Sequence, residues 1–406
     1  MSRAVKCAYF SPFSAAFLSE RRRLKSSNVA ATWRHLSRSD RPVHFRFLTS
    51  TPLNITRGSG TFTGIAILKN FLEATGATVD LVTPRAKFPV YTLERLVFNQ
   101  MLRLKPAPPD AITVGFDMDG YTVAERGGFH IASIKGVIAD EMRFESGLTR
   151  ATMRVQAWCE MKHVEHADLV IAPSRYSAER IQNLYGVRRE TRVIPEPIDL
   201  ASWRSLLEAN PAQPAQDRFV VLSVCRFFPR KRLNTLLGAA NRLRSRVPGL
   251  EVRIVGDGPE ASRLKRLARE LRLGDTVSWL GTVTQEELAR EYNRCHVFCL
   301  PSVQESFGIV FLEAMAAAKP IVAARAASIP EVVRHGVLVE PDDEEALVLG
   351  IESLYRNPQL RDSLASDGSE WVKQFDAPLI AASFIREVEL ARRGLAARIA
   401  ANSIAE

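Results

Sequence analysis

The sequence predicts an α/β protein made of two doubly wound parallel-sheet domains in tandem. Its 406 residues are a length typical of two domains. Strand-like and helix-like segments alternate in two series, and the strand segments are rich in Val, Ile and Leu, as strands covered on both faces are. Ligands of such sheets bind at the carboxyl ends of the strands, so two facing sheets would form an interdomain cleft.

A basic extension is expected before the first domain, over residues 1–42. Residues 1–41 hold nine Lys or Arg against Glu20 and Asp40, so they carry +7 of the formal net charge of +10. A disordered or weakly helical tail is the favoured interpretation. A targeting or membrane-surface segment and an extension that takes no part in the fold are the alternatives. The rest of the chain carries only about +3, which gives no reason to expect a nucleic-acid partner.

The first domain is expected over 43–200. A strand-like run, "VHFRFLTS", leads into the glycine-bearing loop "TPLNITRGSGTFTG", a helix-period segment, "IAILKNFLEATG", and a second strand, "ATVDLVTP". This pattern predicts a βαβ unit whose loop lies at the carboxyl end of the first strand. Further strand candidates are "AITVGFD", "FHIASIKG", "ADLVIAPS" and "TRVIPEPID".

The second domain is expected over 219–375, after a linker over 201–218 that is rich in Ala, Pro and Gln. Its strand candidates are "FVVLSVCRF", "EVRIVGDG", "TVSWLGTV", "HVFCLPS", "PIVAAR" and "GVLVEP". Helical segments alternate with them at 233–247, 260–273, 284–294, 308–318, 328–335 and 343–356. A helical segment over 376–406 follows, and one arrangement for it is to pack back on the first domain.

The five cysteines do not predict a disulfide framework, because their number is odd and the chain is long. Cys295-His296-x-x-Cys299 could be read as part of a metal site. It lies in an apolar strand-like run, "CHVFCLPS", with no second ligand pair nearby, which favours a strand. No apolar run is long enough to cross a bilayer as a helix. We therefore expect reduced thiols and a cytoplasmic protein without a transmembrane anchor.

The stretch "VLSVCRFFPRKRLNTLL" carries the first candidate site. Arg226 lies at the end of a predicted strand, and Lys231 lies five residues later, before a helix, with Arg230 and Arg232 beside it. Cations at the mouth of an α/β cleft suit a diphosphate, and a solvated basic turn is the alternative. In "EVRIVGDGPE", Gly256 belongs to half of a dinucleotide fingerprint, which a tight strand–helix turn also explains.

The stretch "QESFGIVFLEAMA" carries the second candidate site. Glu305 precedes the start of a predicted helix, whose first peptide N–H groups, from about residues 307–310, would bind phosphate. Glu313 lies farther along the same helix, at a separation comparable to the gap between the two sugars of a nucleotide-diphosphate sugar. Glu305 could simply be an acid near a helix start. That alternative does not explain Glu313, because a carboxylate in an apolar helix needs a partner.

Taken in order, these motifs resemble the retaining glycosyltransferases of the GT-B fold, family 4. The resemblance covers 219–375 through Arg226 and Lys231, "VGDGP", "WLGTV", "LPSVQESFGIVFLEAMAAAKPIVA", "IPEVV" and "GVLVEPDD". It is weaker over 43–200, where "ADLVIAPSRYSAERI" and "VIPEPID" carry it. The resemblance implies two Rossmann-like domains, the first on the acceptor side and the second binding the donor.

The resemblance also implies a role for each matching residue. Arg226 and Lys231 would stabilise the leaving nucleoside diphosphate without a metal or other cofactor. Glu305 would hold the transferred sugar, Glu313 the ribose, and Val283 would lie beside the base. The residues that would contact the donor are Gly58, Gly60, Gly256, Val283, Ser306, Phe307, Gly308, Ile309, Val310 and Glu313.

The sequence departs from the family pattern at several positions. The usual His-Gly pair near the sugar reads Lys135-Gly136, which makes Lys135 a candidate on the sugar side. His130, on the preceding strand, is expected to be structural. The usual Asn-Gly of "VIPNGID" reads Glu196-Pro197, and the usual double glycine before "IPEVV" reads Ala327-Ser328. Asp117-x-Asp119 resembles a metal-binding pattern, but we expect no metal there.

We therefore expect a metal-independent, retaining glycosyltransferase that moves a sugar from a nucleotide-diphosphate sugar to an acceptor hydroxyl. A sugar-nucleotide epimerase of the same fold and a non-catalytic sugar-nucleotide-binding partner are the alternatives. A dehydrogenase is a distant fourth, because a complete Gly-x-Gly-x-x-Gly is missing. The acceptor class stays open among lipids, polysaccharides and small molecules. The basic extension also permits peripheral contact with an anionic inner membrane face.

Overall fold

The computed structural model describes residues 43–51 and 60–405, except 86, 87, 89, 106, 109, 127 and 188, with side chains as far as residue 397. The basic extension over 1–42 and Gly58 of the predicted donor contacts lie outside the described residues. The described part holds two six-stranded sheets, each parallel throughout and flanked by helices. The prediction of two doubly wound parallel-sheet domains is confirmed.

The first sheet has the strand order β2-β1-β3-β4-β5-β6. Its strands are β1 (His44–Leu48), β2 (Thr78–Val82), β3 (Ile112–Phe116), β4 (His130–Ser133), β5 (Leu169–Ala172) and β6 (Thr191–Val193). Its helices are α1 (Gly60–Ala74), α2 (Tyr91–Leu102), α3 (Ile138–Glu141), α4 (Gly147–His166) and α5 (Arg175–Tyr185). The order reverses between β1 and β3, so their carboxyl ends form the topological switch point of this sheet.

The second sheet has the order β12-β11-β10-β7-β8-β9. Its strands are β7 (Phe219–Val224), β8 (Leu250–Val255), β9 (Val277–Gly281), β10 (Val297–Leu300), β11 (Ile321–Ala324) and β12 (Val337–Val339). The helices beside it are α6 (Leu200–Ala209), α7 (Leu233–Leu243), α8 (Ala261–Glu270), α9 (Gln285–Arg294), α10 (Ile309–Ala316), α11 (Ile329–Val332), α12 (Glu344–Arg356) and α13 (Pro358–Trp371). Its switch point lies between β7 and β10.

The predicted linker over 201–218 needs correction, because helix α6 occupies its first half. Trp203 and Leu207 of α6 are buried in the hydrophobic core of the second domain. Asp199 caps the helix by accepting a hydrogen bond from the peptide N–H of Ser202. Only the Pro- and Gln-rich residues after α6 form an irregular connection, so Ala and Pro content masked the apolar periodicity of "SWRSLLEA".

Helix α14 (Ala377–Ala405) packs against the first domain, although it follows the second. Ile380, Phe384 and Val388 are buried there, and the ring of Phe384 lies 6.0 Å from that of Phe45 on β1. The chain therefore crosses between the domains twice. The crossings pair with each other, because the peptide N–H of Ile198 donates to the carbonyl of Phe375 and that of Ala377 donates to the carbonyl of Ile198.

Both halves of the Cys-His-x-x-Cys motif belong to the core. Cys299 lies on β10, and the thiols of Cys295 and Cys299 are free and buried. The strand interpretation of this run is confirmed. No helix among the residues that the structure describes is long and apolar enough to cross a membrane.

Candidate functional site

The predicted cationic motif and the predicted acidic motif meet at the switch point of the second sheet. Arg226 follows β7, and residues 301–308 follow β10, its neighbour in the sheet. A parallel pair of strands ends at the same sheet edge, so the two loops are forced together. The first domain faces this edge, because Gly60 at the start of α1 lies against Ile309 at the start of α10.

A cavity of about 360 Å³ lies at this edge. Its lining includes five of the predicted site residues, namely Gly60, Arg226, Gly256, Val283 and Val310. The cavity therefore joins a cation, the glycine turn after β8, an apolar wall and the start of α10, with Gly60 contributed by the first domain.

Gly256 is required for the shape of this cavity. Its φ is +123°, and a Cβ atom there would meet the carbonyl oxygen of Cys225 at 1.9 Å. Only glycine allows the β8–α8 turn to approach the β7 loop this closely. The glycine of "VGDGP" is therefore explained by the backbone conformation of this turn. The turn also brings the peptide group of Gly256 close to Arg226.

Lys231 and Glu305 form a buried ion pair with Nζ and Oε1 2.6 Å apart. Their side chains are 13% and 8% exposed. Lys231 ends a 3₁₀ turn (Pro229–Lys231), and the next residue, Arg232, takes φ +52° to begin α7. The carbonyl of Glu305 accepts hydrogen bonds from the N–H and hydroxyl of Ser328, so the main chain of Glu305 is held as well.

The other cations of the motif have separate partners. Arg230 pairs with Glu141 of the first domain at 3.2 Å, and its guanidinium lies 4.7 Å from the ring of Phe228. Arg232 pairs with Asp342. Arg226 is the cation of the motif that lines the cavity. Its guanidinium lies 5.9 Å from the ring of Phe228, which Arg230 also contacts.

The turn before α10 combines strain with interdomain contact. Gly308 takes φ +88°, and a Cβ atom there would meet the ring of Phe311 at 2.6 Å. The carbonyl of Ser306 accepts hydrogen bonds from the hydroxyls of Ser174 and Ser177 in the first domain. The ring of Phe307 is buried in the second core. The carbonyl of Ser306 and the ring of Phe307 are therefore already engaged, so the predicted donor contacts of these two residues would have to use their other atoms.

Glu313 lies on α10, outside the residues that line the cavity. Its Oε2 accepts a hydrogen bond of 2.9 Å from the hydroxyl of Tyr292, which is fully buried. Burial raises the pKa of Glu313 to about 7, against the lowering effect of the Tyr292 hydrogen bond. The partner of Glu313 is therefore a neutral hydroxyl. The charged form of Glu313 is only marginally stable at neutral pH.

Lys135 of the first domain forms a second buried ion pair, with Glu196 at 2.8 Å. Two of the positions at which the sequence departs from the family pattern are thus in contact. Glu196 lies so close to Gly64 of α1 that a Cβ atom on Gly64 would meet its Oε2 at 2.1 Å. Sequence reasoning missed Glu196, although its departure from the usual Asn was the available signal.

The two aspartates of the Asp-x-Asp pattern are held by protein donors. Asp117 accepts hydrogen bonds from the peptide N–H groups of Lys135 and Gly136, and Asp119 accepts from the N–H and hydroxyl of Ser50. Burial raises the pKa of Asp117 to about 6. Across the described ranges, no group of three His, Cys, Asp or Glu side chains could hold a metal ion. Metal independence stays a prediction.

His130 is a buried structural residue that reaches Asp117 through His163. Its Nε2 lies 2.8 Å from Nε2 of His163, and Nδ1 of His163 contacts the carbonyl of Asp117. Burial lowers the pKa of both imidazoles, which keeps them neutral. The pair supports Asp117 from beneath the sheet edge.

Ala327 and Ser328 form a further departure from the family pattern. Ala327 takes φ +51°, a left-handed conformation that a glycine would adopt without strain. Ser328, the second residue of that departure, supplies the two hydrogen bonds to the carbonyl of Glu305. Of these two hydrogen bonds, only the one from the hydroxyl depends on serine, since a glycine at this position would also have the peptide N–H.

Two family models match the chain. Residues 208–371 match glycosyl transferases group 1, and residues 130–202 match Glycosyltransferase Family 4. The GDP-mannose-dependent alpha-(1-6)-phosphatidylinositol monomannoside mannosyltransferase of Mycolicibacterium smegmatis is 30% identical over 219 residues, which are 50% of this chain and 57% of that protein. The chain thus spans less than two thirds of this relative.

Two solved structures share the fold. Sucrose-phosphate synthase from Thermosynechococcus elongatus has a TM-score of 0.72 at 22% identity, covering 88% of this chain and 100% of that one. HepE from Anabaena, in complex with UDP-glucose, has a TM-score of 0.65 at 21% identity, covering 86% and 99%. The two family models together match more than half of the chain and show that it belongs to the group 1, family 4 glycosyltransferases, and the solved structures show that its fold is GT-B.

Proposed function

We propose that the protein transfers a sugar from a nucleotide-diphosphate sugar to an acceptor hydroxyl, with retention of anomeric configuration and without a metal. One observation carries this proposal: the cavity at the switch point joins Arg226, the start of α10 and Gly60 of the opposite domain, with the Lys231–Glu305 pair in the adjoining loops. This combination suits a diphosphate held between two domains. The relative from Mycolicibacterium uses GDP-mannose, and the HepE structure holds UDP-glucose.

The cations would act on the leaving group. Breaking the bond between C1 of the sugar and the phosphate oxygen develops negative charge on the diphosphate, which Arg226, Lys231 and the free N–H groups of α10 would stabilise. In a front-face transfer the acceptor oxygen bonds to C1 on the side that the phosphate leaves. The acceptor proton then passes to a phosphate oxygen, so no protein base is needed to balance the step.

Glu305 and Glu313 would receive the hydroxyls at the two ends of the donor. Glu305 already accepts from Lys231, so it would both orient that cation and accept from the transferred sugar. Glu313 would accept from the ribose. Burial raises its pKa to about 7, and hydroxyls that donate to the carboxylate would favour its charged form.

The alternatives make different products. An epimerase would need first-domain acids beside the sugar. Asp117 and Glu196 are the candidates, but peptide N–H groups and Lys135 already engage them. A non-catalytic binding protein would take up the donor without releasing nucleotide. The test below distinguishes both alternatives from a transferase.

The test incubates the protein with UDP-glucose and with GDP-mannose, in the presence and absence of a lipid and glycan extract. Release of nucleoside diphosphate that depends on the extract, with an α-linked product by NMR, supports the proposal. An epimeric nucleotide sugar would support the epimerase, and a rise in Tm without turnover would support the binding protein. Release that requires an added divalent metal would contradict the metal-independent mechanism.

An exposed face of the first domain supports an acceptor at a membrane. Helices α2 and α4 are neighbours, since Gln156 donates to the hydroxyl of Thr92 at 2.7 Å. Large apolar side chains stand exposed on both helices, including Met101 (54%), Leu148 (79%) and Trp158 (54%). The α2–α4 face is defined as Leu93, Met101, Leu104, Leu148, Val155 and Trp158, with exposed Arg103, Lys105, Arg150 and Arg154.

Apolar side chains surrounded by cations fit the interface of an anionic bilayer. We infer that the α2–α4 face makes the peripheral membrane contact, whether or not residues 1–42 add to it. The double variant Leu148→Ser, Trp158→Ser should reduce binding to phosphatidylcholine–phosphatidylserine vesicles more than about tenfold. The control, Leu349→Ser, removes a leucine that is 53% exposed on the second domain. An equal loss for the control, or no vesicle binding by the wild type, would contradict this inference.

A further inference from the structure

Two lysine–glutamate pairs lie beside the same turn, one from each domain. The Lys231–Glu305 pair belongs to the second domain, and the Lys135–Glu196 pair belongs to the first. A Cβ atom built on Gly136, which follows Lys135, would lie 3.7 Å from Oγ of Ser306. The first-domain pair is therefore next to the residues that connect Glu305 to α10.

Glu196 approaches the same turn from the other side. Its carboxylate lies over Gly64, and a Cβ atom on Gly64 would lie 3.7 Å from Cδ1 of Ile309. The Oε2 atom of Glu196 is buried without a hydrogen-bond partner in the described structure, whereas Oε1 accepts from Lys135. A buried carboxylate oxygen without a donor is costly, so a ligand hydroxyl that reaches it would be favoured.

The basic side chains around the turn are matched by acids. Lys135 is paired with Glu196, Lys231 with Glu305, and Arg230 with Glu141. The buried carboxylate of Asp117 holds the peptide N–H groups of Lys135 and Gly136 and adds a further acid on this side. Arg226 lines the cavity with Gly256 and Val283, on the predicted nucleotide side.

We propose that the Lys135–Glu196 pair is a specificity element that selects a donor sugar without a carboxylate. This inference rests on the proposed function and names the sugar class that the site accepts. Lys135 has three N–H donors, of which Glu196 takes one, and the others suit sugar hydroxyls. Glu196 acts as a positioning residue that holds the ammonium group of Lys135 in place and neutralises its charge. A sugar carboxylate beside this pair would meet an ammonium already neutralised by Glu196, with the Asp117 carboxylate next to it, so its desolvation would be uncompensated.

The experiment compares donors that differ only at C6. Affinities for UDP-glucose and UDP-glucuronate, and for GDP-mannose and GDP-mannuronate, are measured by calorimetry and by the shift in Tm. The wild type should bind the neutral member of the preferred pair at least about tenfold more tightly. Glu196→Gln should narrow this ratio about tenfold, because Lys135 then has charge to offer a carboxylate. The control Glu190→Gln changes an exposed acid of the same segment and should leave the ratio unchanged.

A charge-swapped variant separates positioning from simple stability. Lys135→Glu with Glu196→Lys keeps an ion pair, so it should fold, but it moves the cation away from the sugar and should reduce transfer more than nucleotide binding. Equal or tighter binding of the uronate by the wild type would overturn the inference and leave the proposed function standing. An unchanged ratio in Glu196→Gln, or full transfer by the swapped variant, would also overturn it. Binding of neither member of either pair would overturn the proposed function together with this inference.

Discussion

The ammonium of Lys231 and the carboxylate of Glu305 are 2.6 Å apart in a largely buried environment, although the two residues lie 74 positions apart in the chain. The pair unites the cationic loop after β7 with the acidic turn after β10. Lys231 is predicted to contact the diphosphate of the donor and Glu305 its transferred sugar, so the ion pair fixes their relative position before the donor arrives.

Removing Lys231 should destabilise the fold as well as abolish transfer. In Lys231→Met, Glu305 keeps a buried charge without its cation, which should lower the free energy of unfolding by about 3 kcal/mol. Urea unfolding measures this loss. The double variant Lys231→Met, Glu305→Gln should recover most of the stability but not the transfer. If the double variant regained transfer, the pair would have only a structural role.

Glu313→Gln should separate stability from donor binding. The pKa of Glu313 is about 7 in the fold, above its ordinary value of 4.5, so ionisation opposes folding. The free energy of unfolding should therefore fall as pH rises from 4.5 to 7, by up to about 3 kcal/mol from this group. Gln at this position should remove that fall, stabilise the protein at pH 8 and weaken donor binding. Undiminished donor affinity would show that Glu313 does not hold the ribose.

Gly308→Ala should disrupt the donor turn. The left-handed φ of +88° and the close ring of Phe311 both oppose a Cβ atom, so we expect a loss of about 2 kcal/mol in stability and a larger proportional loss in donor affinity. Gly274→Ala is the matched control, since a Cβ atom there meets nothing within 4 Å. Similar thermal and binding behaviour of the two variants would contradict the assigned role of the turn.

Transfer should be insensitive to chelation. Asp117 and Asp119 are engaged by protein N–H and hydroxyl groups, and Arg226 and Lys231 would neutralise the diphosphate directly. Initial rates in EDTA should therefore stay within about twofold of those in Mg²⁺ or Mn²⁺. A rate that collapses in EDTA and returns with one metal would assign the charge stabilisation to that ion.

The fold was predictable from sequence because strand–helix alternation and Val-, Ile- and Leu-rich strands leave few alternatives to doubly wound sheets. The convergence of Arg226, Gly256 and Val283 on one cavity was also predictable, since loops at the carboxyl ends of neighbouring strands must meet. Helix α6 was not predicted, because the Ala and Pro content of 201–218 indicated a linker. The burial of Trp203 and Leu207 depends on core residues that lie much later in the chain.

The pairing of Lys135 with Glu196 could not be read from either residue alone. Sixty-one positions separate them, and their contact depends on the adjacency of the loops after β4 and β6, together with space above Gly64. The environment of Glu313 was likewise hidden, because its partner is a tyrosine on another helix. The sequence indicated that a partner was needed, and only packing identifies which one.

The paired crossings at Ile198 and Asp376 have a mechanical consequence. Two chain segments run between the domains side by side and are joined by peptide hydrogen bonds, so they behave as one short connection. Opening of the cleft would then resemble the movement of a book about its spine. The turn before α10 lies beside this spine, because the ring of Phe307 lies 5.6 Å from that of Phe375. That turn would therefore move little, and the covalent path between the lobes would hardly lengthen.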